Sequence, residues 1–141
     1  MILKKELLFI PFFGLYALKF GNIAINRKIG VSSLKSMVKK ARKSLTSGRH
    51  ILIFPEGTRR AIDADPNYKR GILALYKNLG IPCVPVALNS GLSWPKNKII
   101  KNPGNIIVEF LDPIPPGLSD KEFMETLSQK IETRSKELID L

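Results

Sequence analysis

The stretch Phe54-Pro55-Glu56-Gly57-Thr58-Arg59-Arg60 gathers the side chains best suited to grip a phosphate. Gly57 lets the backbone turn with positive φ and lets a ligand come close. Thr58 offers a hydroxyl, and Arg59 a planar fork that binds a phosphate through two hydrogen bonds. Glu56 can orient that arginine or accept a hydrogen bond from a substrate hydroxyl. Lys69-Arg70-Gly71 opens a helical pattern further on, where free backbone N–H groups and the helix dipole favour an anion. Arg27 follows an earlier strand-like run, Asn22 to Asn26. If the ends of these elements are adjacent, Arg27, Arg59 and Lys69 converge on one phosphate. Other chemistry is poorly supplied. One histidine, His50, and one cysteine, Cys83, cannot build a His/Cys zinc site. Cys83 reads as a small core residue.

The charge distribution supports an anionic partner. The net charge is +11 over 141 residues. Residues 1–60 hold thirteen Lys and Arg against two Asp and Glu, while residues 61–141 hold ten of each. Nucleic acid, an anionic membrane or a phosphorylated substrate would all fit such a field. The sequence has no stacking aromatic pair on a strand, no recognition-helix pattern and no zinc finger, so nucleic acid is not the expected partner.

The elements that must position these groups can be read from periodicity. Hydrophobic residues make up 44% and charged residues 25%, a globular composition with room for one domain. Residues 6–20 are mostly apolar and broken by Pro11, which reads as a short buried or interfacial helix. The run Leu7 to Leu18 is twelve residues, short of the about 20 needed to span a bilayer, and no small-residue cleavage site follows it. Leu34, Met37, Val38, Ala41 and Leu45 form one helical stripe with Ser32 or Ser33 as cap and Gly48 beyond the end. Lysines and an arginine fill its other faces. Such a helix can lie on a membrane or turn its stripe to the core; the core-facing reading is preferred.

His50 to Phe54 and Pro82 to Leu88 read as buried strands, and Asn105 to Leu111 as a further strand. Residues 69–78 read as a helix ended by Gly80. Ser119 with Glu122 forms a capping box for a last helix. Strands alternating with helices imply an α/β fold with a mixed, largely parallel sheet flanked by helices, in a single domain over 1–141.

Four ordered blocks resemble the glycerolipid acyltransferases, most closely those acting on 1-acylglycerol 3-phosphate. They are Lys5-Glu6-Leu7 running into Ile10-Pro11-Phe12-Phe13-Gly14, then Gly21 to Arg27, then Phe54 to Arg59, then Val84 to Asn89. The resemblance implies transfer of an acyl group from an acyl thioester, on acyl carrier protein or coenzyme A, to lysophosphatidic acid. The product would be phosphatidic acid for phospholipid biosynthesis. It assigns the acceptor phosphate to Arg27, Glu56, Gly57, Thr58 and Arg59, with Lys69 alongside, and the acyl-chain or donor side to Val84, Pro85 and Val86. It implies a peripheral enzyme on the cytoplasmic face of the membrane, its apolar N-terminal region at the lipid, with no cofactor beyond the acyl donor and no metal.

Two departures from the family pattern stand out. Asn26 takes the place of an Asp before Arg27. The family's catalytic His-x4-Asp pair belongs upstream of the first block and is not found in these residues. His50 is no substitute, because Pro55 stands five positions on and the order is wrong. The expectation is a partial domain, incomplete at its N-terminus, that binds substrate and turns over poorly alone. The alternative is a non-catalytic phospholipid- or membrane-binding remnant. Either way, exposed apolar surface and an unpaired sheet edge are expected.

Overall fold

A computed structural model describes residues 1–26, 30–96 and 98–140. Arg27 lies outside the described residues, so its place relative to Arg59 and Lys69 is left open. The order is β1 (Ile2–Lys4), a 3₁₀ turn (Lys5–Phe9), α1 (Phe13–Lys19), β2 (Ile23–Ile25), α2 (Val31–Thr46), α3 (Arg70–Leu79), β3 (Val86–Leu88), α4 (Ser90–Ser93), β4 (Val108–Phe110) and α5 (Asp120–Ile139). The α/β class is as expected. The sheet comes in two pieces: β1 and β2 pair in parallel, with Ile2 opposite Ile23, and β3 and β4 pair antiparallel, with Val86 opposite Phe110.

The strands are shorter than the apolar runs that announced them, and each shortening has a local cause. Residues 50–54 carry no regular ladder; the Ile2 N–H donates to Leu52 O at 2.9 Å and holds the run extended against β1. Leu52 and Phe54 stay about half exposed, and His50 is exposed rather than the start of a buried strand. In the run from Pro82, Pro85 has no N–H to give a ladder. Pairing there reduces to a bridge between Cys83 and Ile114, and regular strand begins at Val86. Before β4, the Ile107 N–H donates to the Asn89 side chain at 2.8 Å.

Helix α2 begins one residue ahead of the two serines. Gly30, with φ of 62°, is its N-cap, and the Ser33 hydroxyl donates to Asn26 O instead of capping. Its stripe faces inward: Met37 and Ala41 are fully buried and join Ile2, Ile23 and Leu75 in one cluster. The preferred core-facing reading of this helix therefore holds. A second cluster gathers Ile72, Tyr76, Ile114, Phe123 and Leu127. Helix α3 contributes to both, Leu75 to the first and Ile72 and Tyr76 to the second, and Ile53 packs on each. That double anchorage fixes the N-terminus of α3, which is where the chemistry-bearing loop arrives.

Candidate functional site

The site is built on a tight turn. The Gly57 N–H donates to Phe54 O at 3.0 Å, closing a four-residue turn with Pro55 and Glu56 at its centre. Gly57 has φ of 66°, a conformation a β-carbon would strain. The turn is then clamped to α3. The Lys69 N–H donates to Pro55 O at 2.9 Å, and the Asn67 N–H donates to Glu56 Oε1 at 3.0 Å. Lys69 is the N-cap residue of α3 and gives that end no side-chain cap. The first turn of the helix therefore lies beside the Phe54–Gly57 turn, and a helix N-terminus is an end that favours an anion. The Lys69 ammonium donates to Asn67 Oδ1 at 2.6 Å, which keeps it at the same loop.

The two arginines divide differently from the expectation. Glu56 sits against Arg60, Nε to Oε1 at 3.4 Å, and not against Arg59. That pair is close but not aligned for a hydrogen bond, and Arg60 Nε is buried without one. Arg59 is exposed and lays its guanidinium over the Trp94 ring, 5.4 Å from the centroid. Lys101 approaches the same ring at 4.5 Å. Trp94 thus packs locally against two cations. Thr58 is exposed at the tip of the loop. Behind the turn, the half-buried Tyr68 hydroxyl donates to Glu132 at 2.8 Å. Burial foremost, then the carboxylates of Glu132 and Glu56, hold its pKa well above the ordinary phenol range, so it stays protonated.

The structure thus brings Glu56, Gly57 and Lys69 together and sets Arg59 beside Trp94. Val84, Pro85 and Val86 lie in and before β3, which packs on α5 and β4: Val84 is about half exposed, Pro85 is fully buried, and Pro85 O accepts from Leu111 N–H at 3.0 Å. Asn89, which ends the fourth block, is buried. Its amide donates to Leu138 O at 3.1 Å and to Asn105 O at 3.3 Å, so it ties β3 to the end of α5.

A family model described as Acyltransferase matches residues 1–89, which takes in all four blocks. The chain belongs to the acyltransferase family. Its similarity to named members is substantial. It is 42% identical over 107 residues to a 1-acyl-sn-glycerol-3-phosphate acyltransferase of Pseudomonas aeruginosa, a match covering 76% of this chain and 42% of that protein. It is 30% identical over 114 residues to the enzyme of that name from Cocos nucifera, covering 80% of this chain and 37% of that one. The crystal structure of the 1-acyl-sn-glycerophosphate acyltransferase PlsC from Thermotoga maritima superposes with a TM-score of 0.77 at 24% identity, over 97% of this chain and 55% of that one, and so shares the fold. The chain spans about half the length of the relatives it matches.

Three contacts of this loop escaped the sequence reading: Arg60 beside Glu56, the Asn67 N–H on Glu56, and Trp94 against Arg59. Nothing in the sequence tied Trp94 to a loop 35 positions upstream.

Proposed function

We propose that this chain is the acceptor-binding portion of an acyltransferase that moves an acyl group from an acyl thioester to lysophosphatidic acid, giving phosphatidic acid in phospholipid synthesis. The observation that carries the reading is the clamp between the Phe54–Gly57 turn and the N-terminus of α3. On this reading the backbone N–H groups of the clamp and Lys69 hold the acceptor phosphate, and Arg59 and Arg27 join them when it binds. In the reaction the acceptor hydroxyl attacks the thioester carbonyl, its proton passes to a base, and the thiol leaves. The acyl thioester is the co-substrate, on acyl carrier protein or coenzyme A, and no further cofactor is called for. Val84 to Val86 line the acyl side. A peripheral seat on the cytoplasmic face of a membrane agrees with the apolar residues exposed along Phe9–Phe20. No helix among the described residues is long and apolar enough to cross a bilayer.

The base is the weak point of this chain as it stands. His50 is exposed and has Pro55, not a carboxylate, five positions on. General-base catalysis is worth about 10²–10⁴-fold. The 141-residue chain should therefore bind acceptor and turn over slowly by itself.

Trp94 is the sole tryptophan and lies against Arg59, so its fluorescence reports on the site directly. Titrating the chain with lysophosphatidic acid below its micelle concentration should change that emission. Arg59→Ala should weaken binding by about 10- to 100-fold, the usual worth of a charge-assisted pair. Equal affinity in the variant would remove Arg59 from the site. Robust turnover of purified chain, followed by mass spectrometry, would show that the base has been misplaced.

A further inference from the structure

Helix α2 carries a second feature that the acceptor site does not use. Lys35, Lys39, Arg42 and Lys43 stand at i, i+4, i+7 and i+8, within about 100° of one another around the helix axis. They rim an open groove of about 530 Å³ between α2 and α3, whose floor includes Leu34, Val38 and Ala74. No Asp or Glu occurs in Val31–Thr46. Of the four cations only Arg42 makes a described bond, to Asn78 O at 2.6 Å, near the end of α3. Lys35, Lys39 and Lys43 are exposed and form no ion pair among the described residues.

Folding alone does not account for this stripe. Like charges four apart on a helix repel by about 0.2–0.5 kcal/mol per pair. The helix dipole rewards cations only in the last turn, which covers Lys43 and not Lys35 or Lys39.

We propose that this groove docks an acidic helix of a protein partner, the carrier that brings the acyl thioester. A concave, apolar floor rimmed by one sign of charge is the complement of an amphipathic helix with carboxylates on its flanks. A lipid bilayer fits it less well. Inserting a helix into the interface needs apolar side chains standing outside the cations, and here Leu34 and Val38 are half-buried on the floor of the groove, with Met37 and Ala41 fully buried in the core. The proposal rests on the acyl-transfer reading for the identity of the carrier, and on α2 for its location.

The test uses the 141-residue chain and acyl carrier protein, an acidic helical thioester carrier, in a binding titration at two salt concentrations. Binding should weaken with salt, and Lys39→Glu with Lys43→Glu should weaken it at least tenfold. Lys121→Glu with Lys136→Glu, an equal double charge reversal on α5, should leave it unchanged, and circular dichroism should show all variants folded. Arg59→Ala should lose lysophosphatidic acid and keep the carrier protein. A failed acceptor reading would thus show in the Arg59 arm while the carrier arm still reported on the groove. Unchanged carrier binding in the Lys39/Lys43 variant overturns the proposal. So does a loss confined to anionic phosphatidylglycerol vesicles, or a monomer–dimer equilibrium that the reversal abolishes.

Discussion

Two segments of this chain use their large apolar residues in opposite ways, and the more apolar of the two buries fewer of them. Between Phe9 and Phe20, eight large apolar side chains are exposed: Phe9, Ile10, Phe12, Phe13, Leu15, Tyr16, Leu18 and Phe20. What α1 buries is small, Gly14 and Ala17. In α5 the large side chains go in: Phe123, Leu127 and Leu138 are almost wholly buried. Phe123 stacks on Tyr76 with centroids 3.8 Å apart, and the Tyr76 hydroxyl donates to Pro115 O and accepts from Leu118 N–H. Arg134 donates to Glu109 from both Nε and Nη2 and so ties α5 to β4. The C-terminal helix completes a core; the N-terminal one attaches through backbone and leaves its large side chains for a surface other than this core. Apolar content alone therefore does not distinguish packing from display. Side-chain size at the buried positions does.

The sharpest way to break this contrast is to truncate inside α5. Phe123→Ala should cost about 3–5 kcal/mol, since it empties a fully buried aromatic site and unstacks Tyr76. Urea denaturation of the two proteins measures it. Phe12→Ala, at a residue 78% exposed, should stay within about 0.5 kcal/mol. A large loss from Phe12→Ala would show that the N-terminal segment packs on the domain after all.

The order should reverse for small residues. A β-carbon on Gly14 would stand 1.9 Å from Leu8 O, a backbone atom that cannot swing aside. Gly14→Ala should therefore cost about 1–3 kcal/mol through overpacking. Phe12 itself has φ of 62° and ψ of −51°, with the Phe13 N–H donating to Pro11 O in a strained three-residue turn. Phe12→Gly should relieve that strain and raise stability by about 1 kcal/mol. A stabilising glycine and a destabilising alanine two residues apart would be the signature of attachment by backbone.

Much of this was legible in the sequence, and the failures share a cause. Helices α2, α3 and α5 followed from apolar period, and the capping box at Ser119 and the terminators Gly48 and Gly80 were read directly. Periodicity reports burial on one face. It does not report whether a strand finds hydrogen-bond partners, which is why His50 to Phe54 read as a strand and exists as an extended run with a single bond from Ile2. The same blindness applied to Leu7–Leu18, whose apolar density said nothing about which way it faced. At the site, the turn residues Pro55, Glu56 and Gly57 were legible because their backbone demands are local. The partner of Glu56 was not, since Arg59 and Arg60 are chemically equivalent neighbours and the turn geometry alone decides which of them swings back.

That decision gives the next prediction. Glu56→Ala leaves Arg60 Nε buried with no carboxylate beside it and removes the acceptor for the Asn67 N–H. The pair is partly exposed, so solvent moderates the loss to about 1 kcal/mol. Arg60→Ala in the Glu56→Ala background should cost less than it does alone, because the charge it removes no longer has a partner. If the two losses simply add, Glu56 acts on the loop through Asn67 only, and the loop-to-helix clamp is independent of Arg60.

The smallest expected effect is at the start of α5. The Ser119 side chain accepts from Glu122 N–H at 3.3 Å, and the Glu122 carboxylate accepts from Ser119 N–H at 3.0 Å. Ser119→Ala should cost about 1 kcal/mol, a fall in melting temperature of about 3 °C for a chain of this size. The effect should also depend on pH in one direction. Hydrogen bonds from the Ser119 hydroxyl and backbone hold the Glu122 carboxyl below its ordinary pKa. A depressed carboxylate stabilises the fold above its unfolded pKa and loses that contribution as pH falls through the folded value. The gap between wild type and Ser119→Ala should therefore narrow on acidification below the usual glutamate range, and the gap should be flat with pH in a Glu122→Gln background. A gap that stayed flat in acid would mean the box is held by the serine hydroxyl alone, with the carboxylate a bystander.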